Sequence, residues 1–212
     1  MNVLGLSFYY HDSAAALVQD GTLVAASAEE RFSRKKHDAG FPDLAVQFAL
    51  ARGGITIDDV DFAVFYEKPF IKFERMLLTA MSTFPRSAPV FRESMQRWIS
   101  DKLWIKSMTA KRLGLPASKL LFADHHMSHA ASSFYTSPFR DAAILTVDGA
   151  GEWTTSTMSI GRDKRIEIQK ELRFPHSLGL LYSAFTAYCG FEINEGEYKL
   201  MGMHPYGQPR HV

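Results

Sequence analysis

The sequence predicts a mixed α/β protein whose first strands are antiparallel, and three observations lead to this fold class. The 212 residues are 46% hydrophobic and 22% charged, close to the globular average, so a buried core is expected and wholesale disorder is excluded. Short apolar, strand-like stretches alternate with longer stretches of helical periodicity. Tight turns at Asp20-Gly21 and at 161–163 each join two strand-like stretches, which a plain doubly wound sheet would not contain.

The first half of the chain is predicted to hold a three-stranded meander followed mainly by helices. The predicted strands are 3–8, 13–18, 22–27, 60–66 and 120–123. The charged segment 29–42 is interpreted as an exposed loop. Asp43 is the expected N-cap of a helix that ends at Gly53-Gly54. Residues 69–113 have a helical pattern, broken near Pro85 and Pro89.

The second half is predicted to add a hairpin and two helices. Its strands are expected at 142–147, 154–160 and 165–171, and its helices at 128–135 and 177–189. Cys189 is interpreted as a small buried hydrophobe at a helix end. The glycine-punctuated, charged segment 194–202 is interpreted by default as a solvated loop.

Composition excludes several classes of protein. Lys and Arg number 24 against 23 Asp and Glu, and a net charge of +1 does not indicate nucleic acid or an anionic membrane as partner. No stretch approaches the roughly 18 apolar residues of a membrane span, and the N-terminus lacks the basic region of a signal peptide. The only cysteine excludes a disulfide framework and a cysteine-based zinc site. We expect a cytoplasmic protein with no nucleic-acid and no membrane partner.

The strongest local signal is a histidine cluster at 124–129, with the sequence DHHMSH. On a helix, His125 and His129 lie at i and i+4 on one face, the spacing that presents two imidazoles to one metal ion. His126 points elsewhere, because the next residue lies about 100° around the helix. Asp148, at the end of a buried strand, is the expected third ligand. The alternative is a helix start that happens to contain capping histidines.

Four further segments offer contacts to a ligand. Glycines follow Asp148 in the sequence DGAGE, so backbone there can approach a phosphate closely. The turn at 8–13 has the same design, with His11 and Asp12 followed by small residues. For each segment, an ordinary turn is the open alternative. For the loops around 29–37 and 194–202, the open alternative is a solvent-exposed loop without a ligand contact.

Five stretches together resemble the O-carbamoyltransferases of the nodulation and antibiotic-tailoring type. They are GLSFYYHDSAAALV, EERFSRKKHDAGFP, ADHHMSHAASSFYTSPF, LTVDGAGEWTT and SLGLLYSAFTAYCGFEINEGEYKLMGMHPYG. They span nearly the whole chain in the family's order. Each motif alone is weak, but their combination is highly specific.

The resemblance implies an RNase H-like fold of the actin, Hsp70 and sugar-kinase type, with a mixed sheet of about five strands. It implies a divalent metal, Fe or Zn, at His125, His129 and Asp148. It also implies ATP and carbamoyl phosphate as donor, joined in a carbamoyl-adenylate, and a small-molecule hydroxyl acceptor on a sugar or natural product. The expected cofactor-binding residues are Ser13, Gly149, Gly151, Glu152, Lys36 and Lys199. The expected general base is His11 or Asp12.

Family members are much longer than this chain. The resemblance therefore implies that residues 1–212 are the first lobe of the N-terminal domain, with a mainly helical insertion at 69–113. It implies that the second lobe and the C-terminal domain are absent, and that the chain alone is inactive. A homodimer is left open. Two other functions remain as alternatives: a sugar-kinase-like phosphotransferase or ATPase, and a non-catalytic metal- or nucleotide-binding module.

Overall fold

The computed structural model describes residues 1–10, 12–100 and 102–210, and its contacts divide the chain into two compact units. The first unit runs from Met1 to His125 and the second from His126 to Val212. The boundary lies inside the first turn of one helix, so that helix is described with the second unit. Each unit has a sheet of its own.

A five-stranded mixed sheet forms the centre of the first unit. Its strands are β1 (Asn2–Ser7), β2 (Ala14–Gln19), β3 (Thr22–Ala28), β4 (Phe62–Phe65) and β5 (Leu120–Phe122). The strand order is β3-β2-β1-β4-β5, with β1 to β3 antiparallel and with β4 and β5 parallel to β1. The predicted fold class, an RNase H-like α/β sheet with antiparallel strands at its front, is confirmed.

The predicted hairpin turn at Asp20-Gly21 joins β2 to β3. Asp20 has a φ of 49° and Gly21 a φ of 83°. Left-handed φ at both central residues is the type I′ geometry, whose twist matches that of the paired strands. The turn aligns Gln19 with Thr22 and so sets the pairing of the two strands there.

Among the described residues, the first unit also contains five α-helices. They are α1 (Glu30–Ser33), α2 (Asp43–Gly53), α3 (Pro69–Ser82), α4 (Ala88–Ser100) and α5 (Ile105–Leu113). Alternate residues of β1, Leu4 and Leu6, pack in one buried cluster with Ala45 of α2 and Ile105 of α5. The helical pattern at 69–113 is thus confirmed as α3, α4 and α5.

Two local predictions in this unit are wrong. The segment 29–42 is not wholly an exposed loop, because it contains α1 and because Glu29 is only 5% exposed. Asp43 is not the cap of α2, since Pro42 occupies that position without a side-chain bond. The Glu29 carboxylate instead accepts hydrogen bonds from Leu44 N at 3.1 Å and Ala45 N at 2.7 Å.

In the part of the second unit that the structure describes, there are an antiparallel three-stranded sheet and three α-helices. Its elements are α6 (His125–Phe134), β6 (Asp141–Val147), β7 (Thr154–Arg162), β8 (Arg165–Arg173), α7 (Leu178–Tyr188) and α8 (Glu197–Met203). The strand order is β6-β7-β8. Ala130 and Phe134 of α6 pack against Ile144 of β6.

Two predictions for this unit are also wrong. Helix α8 occupies most of the segment 194–202, which is interpreted by default as a loop, because Glu197 anchors its first turn through hydrogen bonds to its carboxylate. Cys189 is exposed, since it follows the last turn of α7, a helix on which only Thr186 is buried. Among the described helices, none is long and apolar enough to cross a membrane.

Candidate functional site

The first and fifth residues of α6 and the residue after β6 bring two imidazoles and a carboxylate together. One ligand atom each of His125, His129 and Asp148 lie within 4.8 Å of one another. The His129 Nε2 atom is 3.7 Å from Asp148 Oδ2. The helical repeat places both histidines on one face, as their spacing predicts.

These three side chains fit a divalent transition metal. Two imidazoles and one carboxylate are the donor set of many non-haem iron sites, and zinc accepts the same ligand types. Two ligand atoms that lie 2.0–2.1 Å from one ion are about 3.0–3.4 Å apart, depending on the angle between them. The separation of 3.7 Å between His129 and Asp148 is close to this range.

The turn after β6 holds Asp148 in place. Its backbone N–H donates to Thr155 O at 2.9 Å, and its Oδ1 accepts from Gly149 N at 2.6 Å. On the other side, the Ser177 hydroxyl donates to Gly149 O at 2.6 Å. Ser177 is also the N-cap of α7, where its oxygen accepts from Leu180 N. One serine therefore joins the start of α7 to the Asp148 turn.

Gly179 lets α7 approach this turn closely. A Cβ atom at Gly179 would lie 2.5 Å from the carbonyl carbon and oxygen of Asp148 and 2.6 Å from Gly149 N. Such distances are too short for any side chain. The absence of a side chain at position 179 is thus a condition for the observed position of Asp148.

The glycines predicted to face a phosphate are engaged inside the turn. The N–H of Gly149 donates to the Asp148 carboxylate, and the N–H of Gly151 donates to Thr154 O at 3.0 Å. Glu152, another predicted contact, is only 4% exposed. The turn is therefore compact and internally hydrogen-bonded, which favours a role in fixing Asp148.

His126 packs in the interior of the second unit and does not belong to the group formed by His125, His129 and Asp148. It is fully buried, with Nδ1 2.7 Å from the Thr146 hydroxyl and Nε2 2.9 Å from Thr154 O. A carbonyl oxygen only accepts, so Nε2 carries a proton. Thr146 Oγ1 lies in turn 2.6 Å from Thr157 Oγ1. This chain of bonds attaches α6 to β6 and β7.

The turn at 8–13 leads to a second group of ligand-type side chains. Asp12 Oδ1 is 3.1 Å from His37 Nδ1, and Glu30 joins them within 4.8 Å. The Glu30 carboxylate also accepts from His37 N at 3.2 Å. Ser13 is buried and its hydroxyl donates to Asp38 O at 2.9 Å. His11, the other predicted base, lies outside the described residues.

The two predicted lysine contacts are surface side chains. Lys36 is exposed beside His37 in the first unit. Lys199 is exposed on α8 in the second, with Nζ 5.9 Å from the centre of the Tyr198 ring. A contact from either lysine to phosphate or acceptor stays a prediction.

Glu67 is a charged residue near the histidine helix that the sequence patterns do not single out. It is 3% exposed, forms an ion pair with Lys72 Nζ at 2.6 Å and lies 3.9 Å from His125 Nδ1. Glu67 follows β4 and His125 follows β5, two parallel neighbours whose carboxyl ends meet at one edge of the sheet. No local sequence pattern indicates Glu67, because only the pairing of β4 with β5 brings it near His125.

The comparisons with known proteins support the same family as the sequence motifs. Residues 2–212 match the family described as carbamoyltransferase N-terminus. The uncharacterized protein sll1178 of Synechocystis sp. is 51% identical over 220 residues, covering 100% of this chain and 35% of that protein. The nodulation protein NolNO of Sinorhizobium fredii is 33% identical over 208 residues, covering 95% of this chain and 28% of that protein.

The chain thus spans about a third of the length of these curated relatives. Among solved structures, YeaZ from Pseudomonas aeruginosa is similar over 82% of this chain and 66% of that one. Its TM-score is 0.43 at 13% identity.

Proposed function

Because this chain belongs to the carbamoyltransferase N-terminus family, we propose that it is the part of an O-carbamoyltransferase that receives an activated carbamoyl group. The donor is carbamoyl phosphate, which loses its phosphate by hydrolysis to give carbamate. A carbamate oxygen then attacks the α-phosphorus of ATP and displaces pyrophosphate, which gives the carbamoyl-adenylate, and the acceptor is a hydroxyl of a sugar or natural product. In the transfer, the acceptor oxygen bonds to the carbamoyl carbon, the bond from that carbon to AMP breaks, and the hydroxyl proton passes to a base.

The observation that carries this proposal is the group formed by His125, His129 and Asp148. These three residues would hold a divalent metal, which when bound supplies a Lewis acid for the carbamoyl oxygen. The surrounding chain fixes the donor atoms. His126 anchors the helix to the sheet, and Ser177 anchors the turn that presents Asp148.

Asp12 is the proposed proton acceptor among the described residues. Its carboxylate lies 3.1 Å from the His37 imidazole. Such a pair can take up a proton from an attacking hydroxyl, because the carboxylate and the imidazole nitrogen lie within hydrogen-bond distance and each can accept a proton. The Glu30 carboxylate fixes the backbone of His37 by accepting its N–H. Asp12→Asn should therefore lower kcat and leave acceptor KM nearly unchanged.

A carbamoylation assay separates this function from the two alternatives. The complete gene product would be incubated with labelled carbamoyl phosphate, ATP and a panel of aminoglycosides and chitooligosaccharides. We expect label in an acceptor and release of AMP. Phosphorylated acceptor with ADP release would instead establish a sugar-kinase-like phosphotransferase. Metal or nucleotide binding without any product would establish a binding module.

Metal content tests the site without an activity readout. We expect about one equivalent of Fe or Zn in the complete wild-type gene product. The His125→Ala and His129→Ala variants of that product should lose most of this metal. His204→Ala removes an exposed imidazole far along the sequence and is the matched control. Equal metal content in all four proteins would refute the site.

The 212 residues alone should bind ATP weakly and transfer no carbamoyl group. They span about a third of the relatives' length, and in actin-like folds a nucleotide is bound between two lobes. A partly open site has a higher effective dielectric, which weakens each charge interaction severalfold. Calorimetry with ATP checks this expectation. Micromolar affinity, or any carbamoylated product from the 212-residue chain, would contradict it.

A further inference from the structure

A cavity lies wholly within the first unit, between the end of β1 and α5. Its volume is about 380 Å³, and its walls include Phe8, Tyr9, Phe41 and Met108. A cavity of this size accommodates a small organic molecule. None of these residues takes part in the function proposed above.

The walls are aromatic and held firmly in place. The Phe8 ring packs edge-on against Tyr9 at 4.9 Å and tilted against Phe41 at 5.0 Å. Tyr9 has a φ of 64°, which is uncommon for a bulky residue, and its N–H donates to Ala39 O at 2.8 Å. Backbone strain of this kind persists where the surroundings impose it, and it concentrates at ligand sites. Flat apolar groups stack well between such rings.

Thr109 adds an unused polar atom to the lining. Its side chain is 2% exposed, and its Oγ1 makes no hydrogen bond to any described residue. A buried hydroxyl without a partner costs about 1–3 kcal/mol, and most buried polar groups in proteins are paired. A ligand atom that bonds to Thr109 would remove this cost.

The charges at the rim decide which ligand fits. Arg112 stacks over the Phe41 ring at 4.9 Å and makes a two-pronged pair with Asp43, so its charge is balanced. Lys111 is exposed at the rim and forms no ion pair with any described residue. The rim is therefore net positive, which disfavours a cation and favours an anion.

We propose that this cavity binds a flat aromatic monoanion of one or two rings, such as an aryl carboxylate. The rings lie between Phe8, Tyr9, Phe41 and Met108. The carboxylate is the polar group that meets both side chains: one of its oxygens accepts from the Thr109 hydroxyl, and its charge faces Lys111. The assignment does not depend on the proposed carbamoyl transfer, because no residue is shared.

Methyl NMR of the whole 212-residue chain tests the proposal at the cavity itself. With [¹³C-methyl]methionine, the Met108 signal reports on the cavity and the exposed Met158 signal reports on non-specific binding. The probe is 2-naphthoate, and its neutral match is 2-naphthamide. We expect a saturable shift of Met108 with 2-naphthoate and no shift of Met158. An unmoved Met108, or equal shifts of both signals, would overturn the proposal.

Two variants test the polar contacts. Lys111→Gln should weaken 2-naphthoate about three- to fivefold and leave 2-naphthamide unchanged, while Lys106→Gln on the same helix should change neither. Thr109→Val preserves the shape of the side chain and should weaken both probes about three- to tenfold. Lys111→Gln without effect on 2-naphthoate would rule out an anion site. Thr109→Val without effect would remove the hydroxyl from the contact.

Discussion

At the scale of single residues, Glu29 acts as the cap of a helix that begins 14 residues later in the chain. Its carboxylate, 5% exposed, accepts the N–H groups of Leu44 and Ala45 in the first turn of α2. A negative charge at a helix N-terminus is favourable in addition to the two hydrogen bonds. Glu29 thereby ties the end of β3 to α2.

Glu29→Ala should lower the free energy of unfolding by about 2–3 kcal/mol, because two buried N–H groups lose their acceptor. Glu29→Gln, which keeps one acceptor oxygen, should lose less. Urea unfolding measures both. The control is Glu167→Ala on β8, an exposed glutamate whose loss should change stability by about 0.5 kcal/mol or less. Similar effects at positions 29 and 167 would contradict the capping role.

His126 and His129 lie on the same helix but should respond differently to mutation. His126→Ala removes a fully buried ring and leaves the Thr154 carbonyl and the Thr146 hydroxyl short of a partner. We expect a loss of about 3 kcal/mol in unfolding free energy. The His129 side chain is 53% exposed, so His129→Ala should cost little in metal-free buffer. Chemical denaturation in the presence of a chelator measures both values.

At the scale of elements, α8 depends on one carboxylate. Burial of the Glu197 carboxyl opposes ionisation, but the Ser183 hydroxyl and the Asn194 N–H donate to it, and the pKa of Glu197 is lowered overall. A lowered folded pKa stabilises the fold above the ordinary pKa, about 4.3 for glutamate. That stabilisation disappears as the pH falls through the folded value.

Glu197→Gln should therefore be less stable than wild type at pH 7, and the two curves should converge as the pH falls through the lowered pKa of Glu197. Thermal or urea unfolding from pH 3 to pH 7 provides the measurement. Glu192→Gln, an exposed neighbour for which no such bonds exist in the described residues, should follow wild type throughout. A gap between Glu197→Gln and wild type that stays constant down to pH 3 would contradict the assignment.

Elements whose signals are local could be predicted from the sequence. The meander β1–β3 follows from alternating apolar residues and from Asp20-Gly21, two adjacent residues that together form the turn. The parallel pairing of β4 and β5 with β1 is not encoded in the few residues of these strands. Only the family resemblance, which implies a mixed sheet of about five strands, indicated it. Helix α8 was missed because Glu197 draws its partner Ser183 from another helix.

In the candidate site, too, residues with a local sequence signal could be predicted and residues without one could not. His125 and His129 could be singled out because their spacing lies within one helix. Asp148 could be singled out because it ends a buried strand. Glu67 could not, since only the pairing of β4 with β5 brings it near His125. The Asp12–His37 contact spans 25 residues and has no local pattern either.

At the scale of the whole molecule, the second unit exposes an apolar sheet face. Leu145 is 66% exposed and pairs across strands with Met158, which is 58% exposed. Val147 and Leu172 extend the same face at 51% and 37% exposure. Side chains of the opposite face, such as Ile144, are buried. Exposed apolar patches of this kind promote association.

The double variant Leu145→Lys and Met158→Lys should reduce self-association of the chain at little cost in stability, because both side chains already lie in water. Light scattering during heating and urea unfolding measure the two effects. Ile144→Lys, one residue away on the buried face, should lose about 3 kcal/mol or more, since it buries an unpaired charge. Equal stability of the double variant and of Ile144→Lys, or undiminished scattering, would contradict this description of the sheet.

The close approach of α7 to the Asp148 turn at Gly179 limits which residues can replace this glycine. A Cβ at position 179 would meet the backbone of Asp148 and Gly149, which cannot rotate away as a side chain can. At Gly202, by contrast, nothing lies within 4 Å of an added Cβ. In a saturation library, selection should remove nearly every allele at codon 179 and accept most alleles at codon 202. The position of a metal-ligand candidate is thus protected in the gene by a residue that contributes no functional group at all.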